Sequence, residues 1–218
     1  MDDCTADELY VSSAGERQRG FFDPRGIGVL VLEGLLIRRV GIEGRFGAEL
    51  LGEGDLLRPW QDRDSPMLQL EIGWTVVEPA RVAMLDHQFA QQLSIYPELG
   101  PALVGRAMQR VRNLAVNMAI VHQARVDTRL QMLLWHLAGR WGRVRSDGTV
   151  LQVRLTHTVL ADLVAARRPT VTSALSDLAR RGLVQSSGER WLLFGDAPGE
   201  LLDVEPPRSR VASHTSTA

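Results

Sequence analysis

Leu155-Thr-His-Thr-Val-Leu-Ala-Asp-Leu-Val-Ala-Ala-Arg-Arg-Pro-Thr-Val-Thr-Ser-Ala-Leu-Ser-Asp-Leu-Ala-Arg-Arg-Gly-Leu-Val184 reads as two short helices joined by a tight turn. The first is expected over about 156–164, with Val159, Leu160, Leu163 and Val164 at helical spacing. Ala161 is small where the two helices must cross. The second is expected from Pro169, a residue suited to a first helical position. Its inward stripe is Val171, Ala174, Leu175 and Leu178, and Gly182 ends it.

On a wheel of 3.6 residues per turn, Pro169, Thr172, Ser173, Ser176 and Arg180 point away from that stripe. This outer face has no large apolar residue. It offers hydroxyls near its start and guanidinium groups at both ends, groups suited to base edges and phosphates. After Gly182 come two β-type runs, 183–185 and 190–194, with Ser186-Ser187-Gly188-Glu189 turning between them. Two helices followed by a hairpin make a winged helix, which presents its second helix to a DNA major groove.

The block resembles the DNA-binding domain of the Crp-Fnr family of bacterial transcription regulators. The residues that carry the resemblance are Leu155-Thr156, 160–164, Arg167-Arg168-Pro169-Thr170-Val171-Thr172, Ala174-Leu175 and 178–183. Arg167, Arg168, Pro169, Thr170, Thr172, Ser173 and Ser176 are then the candidate DNA readers. Arg180, Arg181 and Arg190 are candidate phosphate clamps. Some relatives carry Arg-Glu at the start of this helix and a second Arg one turn later. Here those positions are Arg168-Pro169 and Ser173, so no operator sequence can be borrowed. The resemblance further implies double-stranded DNA, a second copy of the chain and RNA polymerase as partners.

Charge is polarised along the chain. Residues 1–98 carry 9 Arg against 17 Asp and Glu, a net −8; residues 99–195 carry 14 Arg against 5, a net +9; residues 196–218 carry 2 against 4, a net −2. The total is the −1 of the whole chain. An acidic half joined to a basic half suggests that the second meets nucleic acid. All 25 basic residues are Arg, which base composition of the genome explains as well as function does. Cys4 stands alone, so neither a disulfide framework nor a cysteine metal cluster is expected. No apolar run approaches a membrane span, the acidic start does not resemble a secretory signal, and a cytoplasmic protein is the simple reading.

The expected fold class is α+β. Residues 1–24 read as a mobile arm. Residues 25–98 hold short β-type runs separated by glycines, including Gly52-Glu53-Gly54-Asp55, and suggest an antiparallel β-roll of cupin-like shape. Their order resembles the effector-sensing, cyclic-nucleotide-binding-like domain of the same family. Residues 99–126 read as one long helix with Val104, Met108, Val111, Ala115, Met118 and His122 alternating at spacings of four and three. That is a heptad seam, and it makes these six residues the candidate homodimer interface. Asp127-Thr128 is read as a cap, with a new helix over about 128–140 and a hairpin turning at Asp147-Gly148. The winged domain would span 127–195 and a disordered tail 196–218.

For the effector, the family resemblance implies a Gly-Glu pair shortly after the Gly-x-Gly-Asp turn, then an Arg followed by a small hydroxyl residue. Here Leu56-Leu57-Arg58-Pro59-Trp60 follow Asp55, and neither Arg63 nor Arg81 has that context. The long helix reads Leu114-Ala115-Val116, without a hydroxyl pair to meet an adenine. Ordinary cyclic AMP recognition is therefore not expected, because the anion would lack its partners. An unidentified small molecule or protein effector, or none, remains open, and no cofactor is expected. His87 reads as a surface or cap residue, and Trp60 and Trp74 as core positions rather than pocket walls. An enzyme is not expected: metal-dependent chemistry in such a roll needs two or three His with a carboxylate, and 25–98 holds one His. The rival reading is a protein-interaction module that kept the fold and lost DNA.

Overall fold

The computed structural model describes residues 7–11, 25–59, 69–188 and 190–199 of the 218-residue chain. The expected mobile arm of 1–24 is corrected within it: residues 7–11 form a strand held by antiparallel pairing to 80–84. The rest of that arm, Trp60, Arg63 and the tail beyond 199 lie outside the described residues.

The N-terminal half is antiparallel β-structure. Strands β1 (Asp7–Val11), β2 (Gly28–Ile42), β3 (Arg45–Gly52), β4 (Leu56–Leu57) and β5 (Glu71–Leu85) form one sheet in the order β1-β5-β2-β3, with β4 also on β2. The expected short runs are fused. Glu33-Gly34 lies inside β2, and Glu78-Pro79 lies inside β5. Register shifts between Val31 and Leu36 absorb these residues as irregularities where the long β2–β5 ladder bends. Val29, Val31, Leu36, Leu51, Leu57, Ala80 and Val82 fill the core of the fold so made. Trp74 departs from its expected core position: it is 41 % exposed on β5.

After α1 (His87–Gln92), capped by Asp86 whose carboxylate accepts from the Phe89 amide, comes the long helix α2 (Leu99–Val121). It stops five residues before the expected 126. The next helix, α3 (Val126–Trp141), starts two residues early with Arg125 at its N-cap. Asp127 is thus not the cap. It sits in the first turn of α3, where the unpaired amides favour an acid, and it accepts two hydrogen bonds from Arg125 at 3.0 and 2.8 Å.

The C-terminal domain follows the expected plan. A hairpin of β6 (Gly142–Arg145) and β7 (Gly148–Leu151) leads to α4 (His157–Leu163), α5 (Arg168–Arg180), β8 (Val184–Ser187) and β9 (Arg190–Leu193). The four strands form a sheet in the order β6-β7-β9-β8. Arg145 pairs with Gly148, so the first hairpin turns on Ser146-Asp147 rather than Asp147-Gly148. Among the described residues, no helix is long and apolar enough to cross a membrane.

The two halves share one core. Leu35, Ile37 and Leu50 of the sheet lie in the same buried cluster as Leu130, Leu134, Leu160, Leu163 and Leu178. One polar contact across this junction is made at the Gly-x-Gly-Asp turn. Asp55, 3 % exposed, accepts from its own Gly52 amide and from Arg140 of α3, both at 2.8 Å. The Arg140 guanidinium stacks 4.1 Å over the Trp141 ring, and a Cβ at position 52 would come within 2.6 Å of that ring. Arg39 of β2 grips Asp162 of α4 through Nε at 3.0 Å and Nη2 at 2.5 Å.

Candidate nucleic-acid interface

Local chemistry builds the helix pair. The Thr156 hydroxyl caps α4 by accepting from the Val159 amide at 3.3 Å. Val159, Leu160, Leu163 and Val164 are buried, as is Ala161 at the crossing. Helix α5 begins one residue before Pro169, and Val171, Ala174, Leu175 and Leu178 are its buried stripe. Its end is a Schellman motif: the Gly182 amide donates to Ala179 O and the Leu183 amide to Leu178 O, both at 3.0 Å. Gly182 has φ +67°, so glycine is the residue this stop requires.

With that stripe buried, Arg167, Arg168, Pro169, Thr170, Thr172, Ser173, Ser176 and Arg180 are all exposed, and Arg190 is exposed on the wing. Arg167, Arg168 and Arg190 make no ion pair among the described residues and stand free to meet an anion. The hydroxyls are partly engaged along their own helix. Thr172 donates to Arg168 O at 3.1 Å, Ser173 to Pro169 O at 3.2 Å and Ser176 to Thr172 O at 3.0 Å. Each oxygen keeps accepting capacity toward solvent.

The expected clamps Arg180 and Arg181 are already paired. Arg180 meets Asp177 one turn back on α5, and Arg181 reaches Asp127 of α3 at 3.4 Å. Exposed pairs are worth at most about 1 kcal/mol, so a phosphate can replace these carboxylates. The hydrogen bond from Arg125 holds the Asp127 carboxyl below the usual carboxylate range, against the opposing effect of burial.

Residues that the sequence did not single out also belong here. His157, the first residue of α4, places Nδ1 2.9 Å from Thr172 Oγ1 on the reading helix. Its ring lies against Trp191 of β9, with centroids 6.0 Å apart. Asp162 and Arg39 link α4 to the sheet, and nothing in either residue's sequence context signals a partner 123 positions away.

The seam of α2 is bare. Val104, Met108, Val111 and Met118 are 57–64 % exposed, and Ala115 and His122 are exposed beside them. The inner face of the same helix binds the sheet. Arg110 donates to both oxygens of Glu49 at 3.2 and 2.6 Å, Arg38 adds a third bond at 2.7 Å, and Asn117 Nδ2 donates to Ala48 O at 3.0 Å.

Residues 128–199 match the model of the Crp-like helix-turn-helix domain. The match places a Crp-like helix-turn-helix domain in the C-terminal part of the chain. The chain is 31 % identical over 121 residues to the CRP-like cAMP-activated global transcriptional regulator of Mycobacterium tuberculosis, an alignment covering 55 % of this chain and 53 % of that protein. The chain thus spans about half the length of the curated relatives it matches. A cyclic nucleotide-binding domain containing protein from Listeria monocytogenes EGD-e superposes with a TM-score of 0.69 at 16 % identity, covering 86 % of this chain and 88 % of that one. FixK2 from Bradyrhizobium japonicum gives 0.64 at 16 %, covering 88 % and 93 %.

Proposed function

We propose that the chain is a sequence-specific transcription regulator that binds a near-palindromic DNA site as a homodimer in the cytoplasm, with RNA polymerase as its downstream partner. The observation that carries this reading is the outer face of α5. It is exposed from end to end, rimmed by Arg167 and Arg168, which make no ion pair among the described residues, and lined by hydroxyls on a Crp-like helix-turn-helix. A seam of exposed apolar residues on α2 supports two copies related by a two-fold axis. Such a dimer reads two half-sites about one helical turn of DNA apart.

The reading includes a sensor half that does not take cyclic AMP in the manner of its cAMP-activated relatives. Three observations support this. Leu56 and Leu57, which follow the Gly-x-Gly-Asp turn, are buried strand residues where the cyclic-nucleotide pocket of the resemblance would want a glutamate. Arg81 is paired with Glu33 at 2.9 Å. Arg38 and Arg110 are both held by Glu49, a buried carboxylate of the chain itself. A small effector of another kind has room in a cavity of about 280 Å³ between the sheet, α2 and α4, where Leu114, Met118 and Leu163 form part of the wall.

The test is recovery and sequencing of genomic fragments bound by the purified protein, with and without cyclic AMP. A palindromic site recovered equally in both samples supports the whole reading. Recovery only with cyclic AMP overturns the sensor part. Recovery of no fragment in either sample points to a different effector that DNA binding requires, or to the interaction module that retains the fold.

A further inference from the structure

The Thr172 hydroxyl has one proton and two inward neighbours. Arg168 O lies 3.1 Å away as an acceptor, and His157 Nδ1 lies 2.9 Å away as either donor or acceptor. If Nδ1 carries a proton, it donates to Oγ1 and the hydroxyl donates to Arg168 O. If Nδ1 is bare, the hydroxyl proton goes to Nδ1 or to that carbonyl. In each arrangement the proton is turned into the protein, and only lone-pair density faces outward. Without His157 the hydroxyl keeps a single bond along its own helix. Threonine in a helix divides between two rotamers, so the proton is then free to turn outward.

The histidine is itself held. Its ring packs 6.0 Å from that of Trp191, at an interplanar angle of 31°. Trp191 is 3 % exposed and anchored by Nε1 donating to Leu155 O at 3.0 Å. A contact chain therefore runs from the wing strand β9 through the first residue of α4 to the middle of the reading face of α5.

The geometry points to His157 as a positioning residue for base specificity: it fixes Thr172 as a hydrogen-bond acceptor, so that the reading helix selects a base offering an amino group to the major groove. Those bases are adenine, through N6, and cytosine, through N4. The inference rests on the proposed DNA-binding function and deepens it.

The experiment is selection from a randomised duplex library by the full-length protein, followed by affinity measurements on the selected site with single base pairs exchanged. His157→Ala, His157→Asn and Thr172→Val are compared with the parent, and thermal melts establish that each is folded. Asparagine places an amide donor near the position of Nδ1, so it keeps the contact that alanine deletes. The expected result is one base pair per half-site at which the parent prefers adenine or cytosine by about five- to tenfold, the scale of a single hydrogen bond. His157→Ala and Thr172→Val lose that preference at the same base pair and leave the others unchanged, and His157→Asn restores it. A His157→Ala protein that keeps every base preference overturns the inference. So does one that loses affinity uniformly at all sites, the mark of a phosphate contact or a purely structural role. If the parent selects no DNA at all, the underlying function falls with it. If the parent selects a site and His157→Ala reads it identically, this inference alone falls.

Discussion

Val111→Asp tests the dimer at its centre. Val104, Met108, Val111 and Met118 are each about 60 % exposed in the single chain. Complete burial of such a side chain is worth about 1.5–3 kcal/mol, so each has about 1–2 kcal/mol still to gain. Four on each of two helices offer roughly 8–15 kcal/mol, against an association cost of about 4–15 kcal/mol. The balance is modest, and the dimer is sensitive to any single seam position. In a two-fold seam residue 111 meets its own copy. Aspartate there removes about 1–2 kcal/mol from each protomer and sets two carboxylates against each other in an apolar contact. A loss of at least about 4 kcal/mol is expected, near a thousandfold in Kd. Sedimentation equilibrium across the micromolar range reads the mass directly, with a thermal melt to show that the protomer is folded. The variant should sediment as a monomer and lose affinity for a two-half-site duplex. If it sediments as a dimer indistinguishable from the parent, the seam is not the interface and the two-fold operator model loses its support.

Arg168→Ala should weaken binding to the selected site by about 1–3 kcal/mol if the guanidinium reads a guanine; an unchanged gel-shift affinity removes that assignment. Asp55→Asn leaves Arg140 facing a neutral amide in a nearly buried contact between the halves. It should cost about 2–3 kcal/mol in denaturant unfolding, near the lower bound for a broken buried pair because Arg140 keeps some solvent contact; a stability equal to the parent's would show that the pair does not hold the junction. Burial, helped by Arg140, lowers the His136 pKa below its ordinary 6.5. The unfolded chain therefore takes up this proton first, and the stability held above pH 6.5 is lost as pH falls toward the folded value. The melting midpoint should drop on acidification from pH 8 to 5.5, and His136→Gln should flatten that drop; an equal slope in the two proteins assigns it to other groups.

The winged domain was legible in the sequence because its causes are local. Pro169 near the start of α5, Gly182 at its end, and apolar residues at helical spacing each act within one or two turns, and together they define which face is left outside. The heptad seam was readable for the same reason. Periodicity shows a stripe, and among the described residues this stripe on α2 is exposed. The ends of α2 and α3 were misplaced by a few residues because Asp127 suits either a cap or a first turn, and the packing of both helices on the sheet made the choice. The short runs expected in 25–98 are fused into long strands at Glu33-Gly34 and Glu78-Pro79 because a paired strand can absorb irregular residues as bulges.

Pairing between distant residues was decided only by the tertiary structure. Arg110 stands on the same helix as the seam, yet it closes on Glu49 of the sheet. Asp55 read as a turn residue, yet it anchors Arg140 eighty-five positions away. His157 carried no signal, since a histidine at a helix start is ordinary until the crossing of α4 and α5 brings it against Thr172. Hydrophobic period and turn chemistry are properties of neighbours along the chain, and one sequence displays them in full. An ion pair or a shared proton depends on which two surfaces the fold brings within about 3 Å, a distance set by the packing of the whole core.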